Sequence, residues 1–345
     1  MYYRYPILTK IPYTDFFRYR DIFQIIPFKE EEFNLKLSEY HFVNILEINL
    51  EELFKYIDKS IDIQLLFIEN NELLESGKES INLTEAEPLI KFDYYINYAK
   101  SLVIEILSTI TIFEHFDYPN ETSNGWFREI NPKNKEITVK WGKKWLPISN
   151  SPIKSFSKTL LFNKIEENNS LQYFKTIGSS YKKIKFPSDI EEKLNNFFKL
   201  DIEVRDVLNN SFIYFLHANH IKEDFPSLAI VSLINSIENL VNYNHKNTKV
   251  QKCNECGQDR YRITKKFNDF LDENLQGYYS RKEIKGMIGD IYSKRSKIVH
   301  TGNLYKSEKN KPIWEDSLLD STLDLTVIIT VTRIVINSWI KNYCA

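Results

Sequence analysis

The segment Ile291–Asn303, IYSKRSKIVHTGN, decides how the C-terminal part of the chain is read. It reads as the end of an amphipathic helix, with Gly302 where a helix stop takes the left-handed conformation that glycine adopts without strain. Arg295 and His300 lie in it five residues apart. One is a fixed, permanently charged fork; the other is the side chain type that exchanges a proton near neutral pH. Five steps of an ideal helix turn by about 500°, leaving the two side chains ~140° apart and ~7.5 Å along the axis. They cannot share one face of a straight helix. Either the helix breaks near Val299–Thr301, or a second copy across a two-fold axis completes the site.

Working outward, helical periodicity recurs over Ile202–His217, Pro226–Tyr243, Arg262–Leu275, Arg281–His300 and Ser317–Tyr343. Pro226 suits the first position of a helix, where its missing N–H costs nothing. Upstream, Ser188-Asp189-Ile190-Glu191 has capping-box form and starts a further helix through Phe198. Helices of this length packed into the last part of the chain describe a bundle.

These elements together resemble the HEPN superfamily of ribonucleases. Arg295-x4-His300 after a helix, followed by Thr301-Gly302, is similar to the superfamily motif, and the surroundings are similar to its Apea-like branch. The upstream helix Ala229–Leu240 carries Ile237-Glu238-Asn239-Leu240, like the family's hydrophobic–Glu–x–Leu signature, and Lys266–Leu271 supplies a spacer of the form Lys-Phe-x-x-Phe-Leu. The resemblance covers the region from about Asp201 to Ala345 and does not extend to residues 1–195. It implies an all-α HEPN-like helical bundle over 196–345; with the mixed strand and helix patterns of 1–195, taken as a sensor or regulatory region, the expected fold class is α+β.

The resemblance further implies a homodimer in which both Arg–His pairs line one groove, with Arg295 and His300 as the catalytic residues. RNA carries its own nucleophile, the 2′-hydroxyl beside the scissile phosphate. Histidine can move the protons and arginine can hold the crowded phosphorane. No cofactor is needed, and the products are a 2′,3′-cyclic phosphate and a 5′-hydroxyl. Glu238, on an otherwise apolar face, is expected to orient Arg295 through a two-bond pair. Ser296 and Asn303 are supporting candidates, and Lys294 and Lys297 are candidate RNA contacts. Taken alone, His300 is a helix C-terminal histidine favoured by the dipole, and Arg295 an ordinary surface arginine. Ser296 stands where active members often carry Asn, Asp or His. That departure keeps a second reading open: an inactive HEPN-like dimer that binds RNA or a protein partner as a scaffold or sensor. On the first reading the protein is the effector of a bacterial anti-phage or abortive-infection system, with a regulatory protein or antitoxin as a further partner.

Charge fits an RNA partner only after division. Residues 245–311 hold 16 Lys and Arg against 8 Asp and Glu, whereas the whole chain has a formal charge of -1. A local basic excess attracts a phosphate backbone, and a solvated helix face beside a basic loop gives the same count. Lys252-Cys253-Asn254-Glu255-Cys256-Gly257 has the spacing of half of a structural zinc site, which His245 and one more ligand, or a second copy across the dimer, could complete. Two unligated thiols are the competing reading. His217 and His220, three apart, are read as helix-end polar residues.

Other function classes drop out. Nine glycines in 345 residues suit long helices rather than a glycine-rich nucleotide fold, and no phosphate loop, dinucleotide fingerprint or serine-nucleophile elbow occurs. Three cysteines make no disulfide framework and the N-terminus lacks a secretory apolar run, so a cytoplasmic setting is expected. The apolar stretch Val327–Ile336 is interrupted by Thr330, Thr332 and Arg333, too short and polar to span a membrane. In the first region, Phe33–Leu50 alternates like strands, and Pro88–His115 has the length of a buried helix with a strand-like end at Thr109–Phe113. Glu136–Leu146 is expected to be a hairpin turning at Gly142-Lys143-Lys144, preceded by a loop over Pro119–Lys135. Trp141 and Trp145 in it could stack on bases, although hairpin packing accounts for them as well. His41 and His115 stand isolated and are read as packing residues.

Overall fold

Aromatic and β-branched residues crowd the start of the chain, and there they form strands. These are β1 (Tyr2–Thr9), β2 (Phe17–Tyr19), β3 (Phe23–Pro27), β4 (Lys29–Glu30), β5 (Phe33–Asn34) and β6 (Phe42–Asn49). Helices α1 (Leu50–Ile57), α2 (Ile63–Glu75) and α3 (Glu87–Ile110) follow, then β7 (His115–Asp117), β8 (Asn124–Ile130), β9 (Ile137–Lys143), β10 (Ser151–Ile153) and β11 (Glu167–Asn168). After α4 (Ser170–Lys175), β12 (Phe186–Pro187) and α5 (Ile190–Lys199) come α6 (Ile202–Ile221), α7 (Pro226–Asn244), β13 (Gln251–Lys252) and β14 (Asp259–Arg260). Three helices close the chain: α8 (Ile263–Asn274), α9 (Arg281–Thr301) and α10 (Ser317–Tyr343). The computed structural model describes residues 1–30, 33–34, 42–58, 60–75, 86–117, 124–130, 137–143, 150–176, 181–247, 251–252, 259–260, 263–305, 308 and 317–343. The fold class is α+β.

The chain divides into two compact units, Met1–Asn169 with Ile177–Leu194, and Ser170–Thr176 with Asn195–Ala345. Short α4 therefore belongs with the second unit, where Phe174 packs edge-on against Tyr278.

The first unit is built on a six-stranded antiparallel sheet, β10-β1-β6-β3-β2, with β7 also paired to β1. Seven of the eight β6 residues are buried, so both of its faces are covered. On one face Tyr5 donates to the Ile96 carbonyl of α3 at 2.8 Å, and Tyr3 meets Phe92 edge-on. The other face carries a polar row in register across four strands: Arg4, Glu47, Gln24 and Arg18. The Pro88–His115 stretch is helix as far as Ile110; the strand-like end expected at Thr109–Phe113 is instead the last helical residues and a bend, and strand begins only at His115.

The hairpin differs from its expected form. Ile137–Lys143 is a single strand paired with Asn124–Ile130, a segment expected to be loop. Gly142 is not at a turn; it lies opposite Gly125, and Trp141 lies opposite Trp126. Glycine permits a turn without requiring one, and a facing strand uses its position equally well. Trp145 lies outside the described residues.

On α3, burial pushes the Glu105 carboxyl up to about 7 from an ordinary 4.5. The folded chain thus holds a proton that the unfolded chain gives up between those two values. The cost of ionising Glu105 is absent below pH 4.5, grows through the window and is complete above about 7. Glu105→Gln should raise the stability of this unit at pH 8, by at most about 3 kcal/mol since the group keeps some solvent access. It should leave stability unchanged at pH 4. Melting curves at the two pH values test this, and an equal shift at both would sink the assignment.

In the second unit α6 and α7 form a helical hairpin, α10 lies along α7, and α8 and α9 pack beside them. A small antiparallel ladder, β13 with β14, is set into it, so the unit is helical but not all-α. Helix α10 is its central element: every residue from Val331 to Asn337 is buried. The stretch Ser321–Tyr343 is long and apolar enough to cross a bilayer by composition, yet 61% of its apolar window is buried inside the protein. Ile328, Ile334, Val335, Ile336 and Ile340 form that buried core.

Candidate active site

Helix α9 positions the candidate residues, and both of its ends are fixed by sequence. At its start Ser280 accepts from the Glu283 amide and the Glu283 carboxylate accepts from the Ser280 amide, a complete capping box. At its end Gly302 takes φ 64°, and its amide donates to the Ile298 carbonyl at 3.0 Å. Between them the helix is unbroken through Thr301. The expected alternative of a break near Val299–Thr301 does not occur, so the two side chains diverge. Arg295 turns toward α7, whereas His300 is exposed in the last turn.

The Arg295 side chain is 20% exposed, and its Nη2 donates to Glu238 Oε2 at 2.7 Å. Asn235 Oδ1, one turn earlier on α7, lies 3.4 Å from the same nitrogen. The other Glu238 oxygen accepts from the Tyr292 hydroxyl at 2.9 Å. The ion pair is therefore a single bond, not the two-bond fork expected from sequence, with the phenol donating to the other oxygen. Burial, and then the neighbouring Glu238 charge, push the Tyr292 phenol up to about 12, so it remains a donor at neutral pH. Its ring rests on Phe267 of α8 at 4.7 Å between centroids.

Beyond His300, Tyr305 and Glu308 are tied to α7 and α10. Tyr305 donates its amide to Ser227 Oγ at 2.9 Å, at the start of α7, and its hydroxyl to Asp324 of α10 at 2.5 Å. Glu308 accepts from both the amide and the hydroxyl of Ser227, capping α7 with a carboxylate. Lys294, expected as an RNA contact, is held by Asp324 at 2.5 Å and lies over the Tyr305 ring. It reaches a phosphate only by leaving that pair. Lys297 and Asn303 are exposed and Ser296 is half-buried. Ser296 and His300, at i and i+4, share one face of α9 with Gly289 and Ser293. Gly286 and Gly289 are exposed, and a Cβ added to either would meet nothing within 4 Å.

Cys253 and Cys256 lie outside the described residues, between β13 and β14. His245 follows α7 as its C-cap. Among the described residues no group of three or more His, Cys, Asp or Glu converges on a metal position. Sequence reasoning had not singled out Tyr292, Asn235, Tyr305 or Asp324. Two had a local signal, since Tyr292 precedes Arg295, and Asn235 precedes Glu238, by one helical step of three. Asp324 had none, because a different helix brings it.

No family model matches the chain, and neither a curated protein nor a solved structure matches it.

Proposed function

We propose that the second unit is a metal-independent endoribonuclease of HEPN type, working as a two-fold dimer, and that the protein is the effector of a bacterial anti-phage or abortive-infection system. The first unit would act as its sensor or regulatory part. The observation that carries this reading is one helix holding an arginine anchored by Glu238 and, five residues on, an exposed histidine. Arg295 would hold the non-bridging oxygens of the scissile phosphate. His300 would take the proton of the 2′-hydroxyl as that oxygen bonds to phosphorus. The 5′-oxygen then leaves and is protonated, giving a cyclic phosphate and a 5′-hydroxyl. Because the two side chains diverge on an unbroken helix, the reading has a second copy complete the groove. The glycines and serines on the His300 face of α9 would let another helix approach closely.

A second reading, a HEPN-like dimer that binds RNA or a protein without cutting, is favoured by one observation. Two cations of the site, Arg295 and Lys294, are already matched by carboxylates within the protein. The test is incubation of wild type and His300→Ala with tRNA in EDTA. Cleavage by wild type alone supports the nuclease. Equal cleavage by both removes His300 from the chemistry.

A further inference from the structure

We propose that Tyr292 is a positioning residue that holds Glu238 to a single nitrogen of Arg295 and so leaves Nη1 of the guanidinium for phosphate; this rests on reading Arg295 as the phosphate ligand. A carboxylate facing a guanidinium ordinarily closes a two-bond fork, using both of its oxygens. Here one oxygen belongs to Tyr292 at 2.9 Å, and Glu238 takes a single nitrogen of Arg295 at 2.7 Å. Arg295 Nε, the second nitrogen such a fork would use, is buried with no hydrogen-bond partner among the described residues. The remaining nitrogen, Nη1, makes no hydrogen bond to any described residue. Tyr292 is itself held between Glu238 and the Phe267 ring, and its hydroxyl has no other acceptor among the described residues.

Removing the hydroxyl frees Glu238 Oε1 to swing onto Nε. The fork then closes, and the guanidinium is drawn inward and more fully neutralised. Tyr292 touches no substrate on this account; it acts only through Glu238.

The experiment measures binding of a fluorescein-labelled 2′-O-methyl RNA oligonucleotide, which cannot be cleaved, by anisotropy across a series of salt concentrations. All proteins are studied below their melting transitions, checked by circular dichroism. Tyr292→Phe should weaken binding about tenfold and lower the salt slope by about 0.7, the share of one single-strand phosphate contact. Arg295→Ala should do at least as much. In a Glu238→Gln background, where no charged fork can close, Tyr292→Phe should add nothing. Phe267→Leu, which alters the packing but keeps the hydroxyl, should leave the slope unchanged. If Arg295→Ala leaves binding unaltered, Arg295 is not the phosphate ligand and the functional reading fails with it. If Arg295→Ala weakens binding and Tyr292→Phe does not, only the positioning role of Tyr292 is overturned. A Phe267→Leu slope as low as that of Tyr292→Phe would also overturn it, by showing a packing effect.

Discussion

Arg295→Ala and His300→Ala should both abolish most RNA cleavage yet differ sharply in stability. On the proposed reading, loss of the arginine removes the cation facing the phosphorane, and single charge-stabilising groups of this kind are worth about 10²–10³ in rate. Loss of the histidine removes the proton carrier, worth about 10²–10⁴. Arg295 also holds Glu238, whose side chain is only 17% exposed. Deleting it leaves a mostly buried carboxylate with one donor fewer, at a cost on the order of 2 kcal/mol. His300 is exposed at a helix end, so its replacement should move the melting temperature little. Arg295→Lys should rescue stability partly and activity poorly, since an ammonium cannot present the planar fork. Paired melting and single-turnover cleavage measurements check this. A stable, inactive Arg295→Ala would show that Glu238 needs no partner beyond Tyr292, and the anchoring role of Arg295 would be wrong.

The second large effect is expected in the other unit. Glu47 is fully buried on β6 and accepts five hydrogen bonds. Arg4 gives two, at 2.9 and 2.8 Å; Gln24 gives one at 2.6 Å; the Ser157 amide and hydroxyl give the others at 2.7 and 2.6 Å. The carboxylate thus pins the 157 segment onto the sheet and satisfies a fully buried glutamine. Arg4, whose side chain is 30% exposed, can turn to water when its partner goes; Gln24 cannot. Glu47→Ala should therefore destabilise the sheet by about 2–3 kcal/mol, the upper range for leaving a buried polar group without its partner. Hydrogen exchange of the β1, β3 and β6 amides should accelerate by orders of magnitude, with Glu47→Gln intermediate. Wild-type protection in Glu47→Ala would mean that the polar row is ornamental.

The two units differ in how far their sequences could be read. The helices of the second announce themselves because each pairs a 3.6-residue apolar period with a clear end signal, such as Pro226 or Gly302. The strands of the first do not. Phe33–Leu50 alternates like strands, but β6 within it is buried on both faces, so that pattern gives neither its bounds nor a solvent face. β1, YYRYPILT, mixes a proline and an arginine into its run, and the arginine is there for Glu47 on a strand forty residues away. In the candidate site the Glu238–Arg295 pairing could be anticipated from a lone carboxylate on an apolar helix face. Its single-bond geometry could not, since it depends on where the Tyr292 hydroxyl falls in space. The Lys294–Asp324 pair likewise joins two helices that no local pattern relates.

The proposed reaction cuts RNA through its 2′-hydroxyl with no metal. The most direct measurement uses an oligonucleotide that wild type cleaves at a mapped position, assayed in EDTA with a single 2′-deoxy substitution there. The account predicts that cleavage at that position disappears, while the all-ribose substrate yields 2′,3′-cyclic phosphate and 5′-hydroxyl ends. Cleavage that survives the substitution, or that requires added divalent metal and leaves 5′-phosphate ends, would contradict it.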